Sequence, residues 1–155
     1  MATSQLLKQD VFSYLRPEQI DSIHNVSEII ERKAGDLVYT QGERARHLYV
    51  VLDGQVDLLF PGKKGIGILI ESLGRDAMFG ASASLVPGTY MLTARCVVDS
   101  KILKIEAAAL QRLLQEDCQM GYAIQRHISE LYFKRYIETM QKLQAIVMSI
   151  PLQPE

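Results

Sequence analysis

Between Ser27 and Ile105 glycine interrupts the chain nine times, at Gly35, Gly42, Gly54, Gly62, Gly65, Gly67, Gly74, Gly80 and Gly88. The intervals are short apolar runs of Val, Ile, Leu and Tyr, residues that pack well on a pleated surface. They are too short for ordinary helices, so the segment reads as many short strands joined by turns. Asp53-Gly54 lies between Leu48–Leu52 and Val56–Phe60. Both turn positions tolerate positive φ, so these two runs are expected to pair antiparallel as a hairpin.

Helical patterns flank this segment. Arg16-Pro17-Glu18-Gln19 puts proline at a first helical position with acidic and amide residues in the first turn, which predicts a short helix over about residues 17–24 with Ile20 and Ile23 facing inward. Beyond Glu106, Ala107 to Gln115 form one helical segment. Asp117 to about Ile150 then contains no proline and a single early glycine, Gly121. Met120, Ile124, Ile128, Leu131, Tyr132, Tyr136, Met140, Leu143 and Val147 recur at spacings of three or four, while Phe133, Ile137 and Ile146 spill onto a neighbouring face. At 1.5 Å per residue such a helix is about 45 Å long. That is more than one small barrel covers, so part of it is expected to meet another partner. The stripe can serve as intramolecular core, as a dimer seam or as both; its spread over two adjacent faces favours self-association, and Ile124, Ile128, Leu131, Tyr132, Met140 and Leu143 are assigned to the seam of a homodimer through this helix. His127 falls beside that seam in a structural role.

With 155 residues, 48% of them hydrophobic, the chain suffices for one core, and residues 1–155 read as one domain. No linker, repeat or low-complexity tract divides it. Seventeen Lys and Arg against eighteen Asp and Glu leave a formal charge of −1, so no global positive field draws it to nucleic acid or an anionic membrane. Residues 1–10 lack the apolar stretch of a signal peptide, and no apolar run approaches the ~20 residues of a membrane span. Cys96 and Cys118 form neither a CxxC nor a disulfide-dense pattern. A cytoplasmic protein with reduced thiols is expected: Cys96 reads as a buried inert thiol, and the position of Cys118 at a helix start favours some acidity.

The order short helix, glycine-punctuated strands, short helix, long helix resembles the cyclic nucleotide-binding domain of the catabolite-activator type, from about Phe12 to Val147. Ala34-Gly35-Asp36, Gln41-Gly42-Glu43, Leu48–Leu52 and Gly54 are similar to that family's turn-strand-turn framework. The resemblance implies an α+β fold: an antiparallel, jelly-roll-like β-roll of about eight strands over residues 27–106, with a short N-terminal helix, a cassette helix and C-terminal helices over about 107–150. A jelly-roll metalloenzyme would need several His and Glu ligands. Only His24, His47 and His127 are present, two of them on predicted helices, so no metal is expected.

Phe79-Gly80-Ala81-Ser82-Ala83-Ser84-Leu85 matches the start of the family's phosphate-binding cassette, whose helix amides point at the ligand phosphate. In ligand-binding members the residue after Phe-Gly is a glutamate that holds the ribose hydroxyl; here it is Ala81. Aligning Thr93-Ala94-Arg95 and Asp99-Ser100 with the family's following strand implies that the phosphate-pairing arginine falls near Tyr90. Arg95 lies five residues further along a predicted strand, so its side chain is expected to face the other way, into solvent. Hydrogen bonds involving charged groups contribute roughly 1.5–3 kcal/mol each, so losing two costs about 3–6 kcal/mol, or two to four decades in affinity. Candidate pocket residues are Phe79, Gly80, Ala81, Ser82, Ala83, Tyr90, Met91 and Leu92, with Arg135 and Tyr136 where the family's long helix passes over the pocket. For Tyr90 the competing reading is a ring that fills the barrel mouth, and for Ser82 and Ser84 it is helix capping.

Two functions follow. In the first, the chain is a stand-alone regulatory sensor that does not take cAMP or cGMP in the standard way, and an unknown small molecule in the roll shifts the long helix. In the second, it is a ligand-free interaction module that pairs chains or docks on another protein. A DNA-binding regulator would need a helix-turn-helix after the long helix, where this sequence stops at Glu155. No paired carboxylates, activated nucleophile or metal cluster marks an enzyme, and no cofactor is expected.

Overall fold

A computed structural model of the chain describes residues 12–81 and 88–151. Among them are three α-helices and eight antiparallel strands. Helix α1 (Pro17–Asn25) leads into β1 (Ser27–Arg32), β2 (Leu37–Tyr39), β3 (His47–Asp53), β4 (Val56–Pro61), β5 (Gly67–Leu73), β6 (Met78–Phe79), β7 (Thr93–Cys96) and β8 (Ser100–Glu106). Helices α2 (Ala107–Glu116) and α3 (Cys118–Met148) complete the order. The fold is the expected α+β β-roll with a long C-terminal helix.

The strands form two four-stranded sheets, β1-β8-β3-β6 and β2-β7-β4-β5. This corrects the hairpin expected at Asp53-Gly54. β3 pairs with β8 and β6, whereas β4 pairs with β5 and β7, so the turn carries the chain from one sheet to the other. Gly54 has φ +104°, and a Cβ there would run into Ser100. Ser100, itself buried, accepts from the Gln55 amide at 3.2 Å. The turn residues are what a tight bend requires; they do not dictate which strands pair across it.

Alternation along β3 and β8 builds two cores. Leu48, Val50 and Leu52 of β3, with Leu103 and Ile105 of β8, face the helices and pack with Phe12, Ile20, Ile23, Leu110, Leu114, Met120, Ile124 and Ile128. Tyr49, Val51 and Ile102 point the other way, into the roll interior between the sheets. As expected, Ile20 and Ile23 are buried and α1 begins at Pro17.

Buried Gln19 joins the helix starts. Its Oε1 accepts from the Arg16 amide at 3.0 Å, and its Nε2 donates to Asp117 Oδ2 at 2.8 Å. The other Asp117 oxygen caps α3 by accepting from the Met120 amide at 3.0 Å. These contacts hold the Asp117 carboxyl below its usual range, the Gln19 bond contributing most.

Candidate functional site

The cassette frame begins where β6 ends. Phe79 is fully buried in the roll interior, its ring stacked on Tyr49 with centroids 5.1 Å apart. Gly80 takes φ +67°, and a Cβ there would sit 3.3 Å from the His47 carbonyl oxygen and from the rings of Tyr49 and Tyr90. The backbone conformation calls for glycine, and a Cβ would in addition press tightly on these neighbours. Ala81 is fully buried and packs with the helix-side core, not the interior. Ser82 and Ala83, with Ser84 and Leu85, lie outside the described residues.

The segment that re-enters at Gly88 is pinned to the turn at residues 42–45. The Tyr90 amide donates to Glu43 O and its carbonyl accepts from the Gly42 amide, both at 2.9 Å, while Ala45 N donates to Gly88 O at 2.9 Å. This backbone ladder aims the Tyr90 side chain inward. Its ring stacks on Tyr39 with centroids 3.7 Å apart and planes 14° from parallel. Its hydroxyl donates to His47 O at 2.7 Å and accepts from His47 N at 3.2 Å.

Tyr39, Tyr49, Phe79 and Tyr90 thus form one aromatic cluster within the roll, each no more than 5% exposed. Burial pushes the phenols of Tyr39 and Tyr49 far above their usual range, so both remain neutral. Among the described residues, the only buried polar or charged side chains are Gln19 and Ser100. Among the described residues the interior presents ring faces and aliphatic carbon; the nearest cation is Arg135 at its margin, already paired with Glu71. Leu92 is half-buried against this cluster, whereas Met91 is 78% exposed. Arg95 is exposed, as its strand parity implies, and Cys96 is buried, its thiol pushed up by burial.

From the long helix, Arg135 reaches the roll. Its Nη2 donates to the Met78 carbonyl at 3.0 Å, its Nε lies 2.8 Å from Glu71 Oε2, and its guanidinium sits 5.6 Å from the Tyr132 ring centroid. Tyr136, one residue on, is exposed. The structure therefore gathers Phe79, Gly80 and Tyr90 at one place, sets Ala81 behind them, holds Arg135 at the margin, and leaves Met91 and Tyr136 in solvent.

Four residues of the expected helix seam are placed differently from that assignment. Ile124 and Ile128 are buried in the helix-side core of their own chain, and Leu131 and Tyr132 are half-buried against it. The same spacing of three and four serves a core stripe and a pairing stripe alike. Met140 and Leu143 are exposed, as are Phe133, Ile137, Ile146 and Val147. A hollow of about 540 Å³ on this face is lined by Phe133, Lys134 and Ile137 among others.

A second cleft of about 600 Å³ runs between the start of α3 and the segment before α1, lined in part by Tyr14, Gln19, Tyr122, Arg126 and His127. Burial lowers the pKa of His127, and burial together with Glu130 pushes Tyr14 up to about 12. Cys118 is exposed, with its Sγ 3.7 Å from Gln115 O.

Sequence reasoning missed Tyr39, Tyr49 and Glu71. The first two read as ordinary strand aromatics, and their common destination depends on pairings tens of residues apart. The available signal was alternation: Tyr49 lies one residue from Leu48, which faces the helices, and so points into the roll interior.

The family model described as "Cyclic nucleotide-binding domain" matches residues 29–117. Among solved structures, a cyclic nucleotide-binding domain from Methylobacillus flagellatus superposes with a TM-score of 0.79 at 14% identity, covering 99% of this chain and 87% of that one. The Thermus thermophilus catabolite activator protein gives 0.74 at 22% identity over 88% of this chain and 62% of that one. The sensor domain of the transcriptional regulator DNR from Pseudomonas aeruginosa gives 0.72 at 21% identity, covering 99% and 96%. At these identities the likeness is one of fold. No helix among the described residues is long and apolar enough to cross a membrane.

Proposed function

The chain belongs to the cyclic nucleotide-binding domain family, and we propose that within it this protein is a non-enzymatic regulatory domain that does not take cAMP or cGMP in the standard way and acts by pairing its long helix with a second copy. The observation that carries this reading is the packing of Tyr90. Tyr90, near which the resemblance places the phosphate-pairing arginine, is stacked at 3.7 Å on Tyr39 and bonded through its hydroxyl to the backbone of His47. Ala81, in place of the ribose-holding glutamate, is fully buried in an apolar core. Restoring either charge would place it among buried, largely apolar neighbours, which is unfavourable unless a partner is supplied.

Pairing rests on the exposed apolar residues of α3 from Phe133 to Val147. Single exposed apolar side chains are ordinary, but several on one helix mark an interaction surface. Free cysteines and a near-neutral charge fit a cytoplasmic setting without nucleic acid as partner.

Thermal unfolding with and without millimolar cAMP and cGMP tests the proposal. A ligand at a hundred times its Kd stabilises by about 2.7 kcal/mol, roughly 5–10 °C for a chain of this size. Neither nucleotide is expected to move the midpoint, and a shift of that order would sink the degenerate-pocket reading. Light scattering across a concentration series tests the pairing, which a strictly monomeric protein refutes.

A further inference from the structure

Arg135 is the last residue of α3 that the roll covers. Its side chain is 17% exposed, whereas every residue from Tyr136 to Met148 is exposed. The two groups it holds belong to different sheets: Glu71 to β5, an edge of one, and Met78 to β6, an edge of the other. These edge strands share no ladder, so the roll has a seam along them. A single guanidinium spans that seam and fixes the helix to both edges.

We propose that Arg135 is a clasp that fastens α3 to the open edge of the roll, and that its release frees the helix from the roll as far back as Ile128. Ile128 is the last fully buried residue of the helix, and between it and Arg135 only Leu131 and Tyr132 pack on the core. Half-buried side chains give modest attachment, so the clasp decides where the helix leaves the roll.

The contact is built to open without unfolding. Arg135 Nε is buried, and Glu71 Oε2 lies off its N–H direction, so the pair is a Coulombic contact and not an aligned hydrogen bond. Glu71 stays 32% exposed. A pair that water reaches from one side is screened by salt less than a fully exposed one, but still weakens as salt rises. The Met78 carbonyl supplies the aligned, directional half of the clasp, and it immediately precedes the Phe79-Gly80 turn.

Amide hydrogen exchange over residues 129–137 of the full chain tests the clasp, with β3 and β8 as internal references. In wild type, exchange over this stretch is expected to speed up as salt rises. Glu71→Gln should exchange roughly threefold faster at low salt and lose the salt dependence. Arg135→Met also removes the bond to Met78 and should exchange at least about tenfold faster. The references should not change in Glu71→Gln, and Arg135→Lys should fall between the two variants, since one ammonium cannot serve both partners. Wild-type rates in both Glu71→Gln and Arg135→Met would overturn the proposal, as would acceleration in β3 and β8 equal to that in residues 129–137 of Glu71→Gln. The comparison is made at one protein concentration and holds whether or not α3 pairs with a second copy.

Discussion

Replacing Tyr90 by phenylalanine tests whether the roll is filled or open. The ring, and with it the 3.7 Å stack on Tyr39, survives; the hydroxyl that donates to His47 O at 2.7 Å and accepts from His47 N does not. Leaving a buried polar group unpaired costs about 1–3 kcal/mol. His47 is only half-buried, so water takes up part of the loss and the lower half of that range, about 1–2 kcal/mol, applies. For a chain of this length that is a fall of roughly 2–8 °C in Tm. Urea unfolding followed by circular dichroism should give a lower midpoint with an unchanged slope, since the surface exposed on unfolding is the same. Tyr90→Ala deletes the ring as well and should cost about 3–5 kcal/mol. If Tyr90→Phe unfolds with wild type and Tyr90→Ala costs under about 1 kcal/mol, the ring is not part of a packed interior, and the argument against a nucleotide in the roll falls with it.

Gly54→Ala forces a Cβ into Ser100 at φ +104° and should destabilise by about 2 kcal/mol or more, read from the urea midpoint; a neutral result would mean that the bend is not fixed as described. Ile124→Ala should cost about 2–5 kcal/mol with association unaltered, whereas Leu143→Ala should leave the monomer within about 0.5 kcal/mol and weaken pairing, so that paired unfolding and light-scattering measurements separate core from surface. Burial lowers the folded-state pKa of His127 below its ordinary value, so the unfolded chain binds more protons under mildly acidic conditions. The contribution of His127 is therefore present above about pH 6.5 and lost as pH falls through that value toward the folded pKa. His127→Gln should flatten the dependence of the urea midpoint on pH over that interval, and an unchanged slope would refute the assignment.

The parts of the molecule legible in its sequence are those that local physics decides. Pro17 at the start of α1, the proline-free run through α3, and the glycines that break the middle of the chain each act over a few residues, and together they suffice for a helix-flanked roll. Asp53-Gly54 marks where the failure begins. The dipeptide requires a bend, but the partner of β3 is β8, some fifty residues later, and nothing near the turn selects it. Ile124 and Leu143 differ in the same way: both lie on the apolar stripe of α3, yet only the first falls within reach of the roll, a matter of where the sheets end. At the candidate site the uncharged residues Ala81 and Tyr90 are legible by position, while the stack of Tyr90 on Tyr39 and the reach of Arg135 to Glu71 and Met78 depend on the closed roll.

The place of β8 between β1 and β3 imposes an order of events on synthesis. Ser27 pairs with Ile105 and Leu48 with the same residue from the other side, so two of the earliest strands wait for the last one to be translated. Local pairing of β4 with β5 can form as soon as both are made, but the first sheet has no centre until residues 100–106 emerge. Closing so long a loop is entropically slow, and in the interval β3 has only the two-residue strand β6 to pair with. The nascent chain therefore passes through its most aggregation-prone stage just before the roll is complete, which is when a holding chaperone would matter most to its yield.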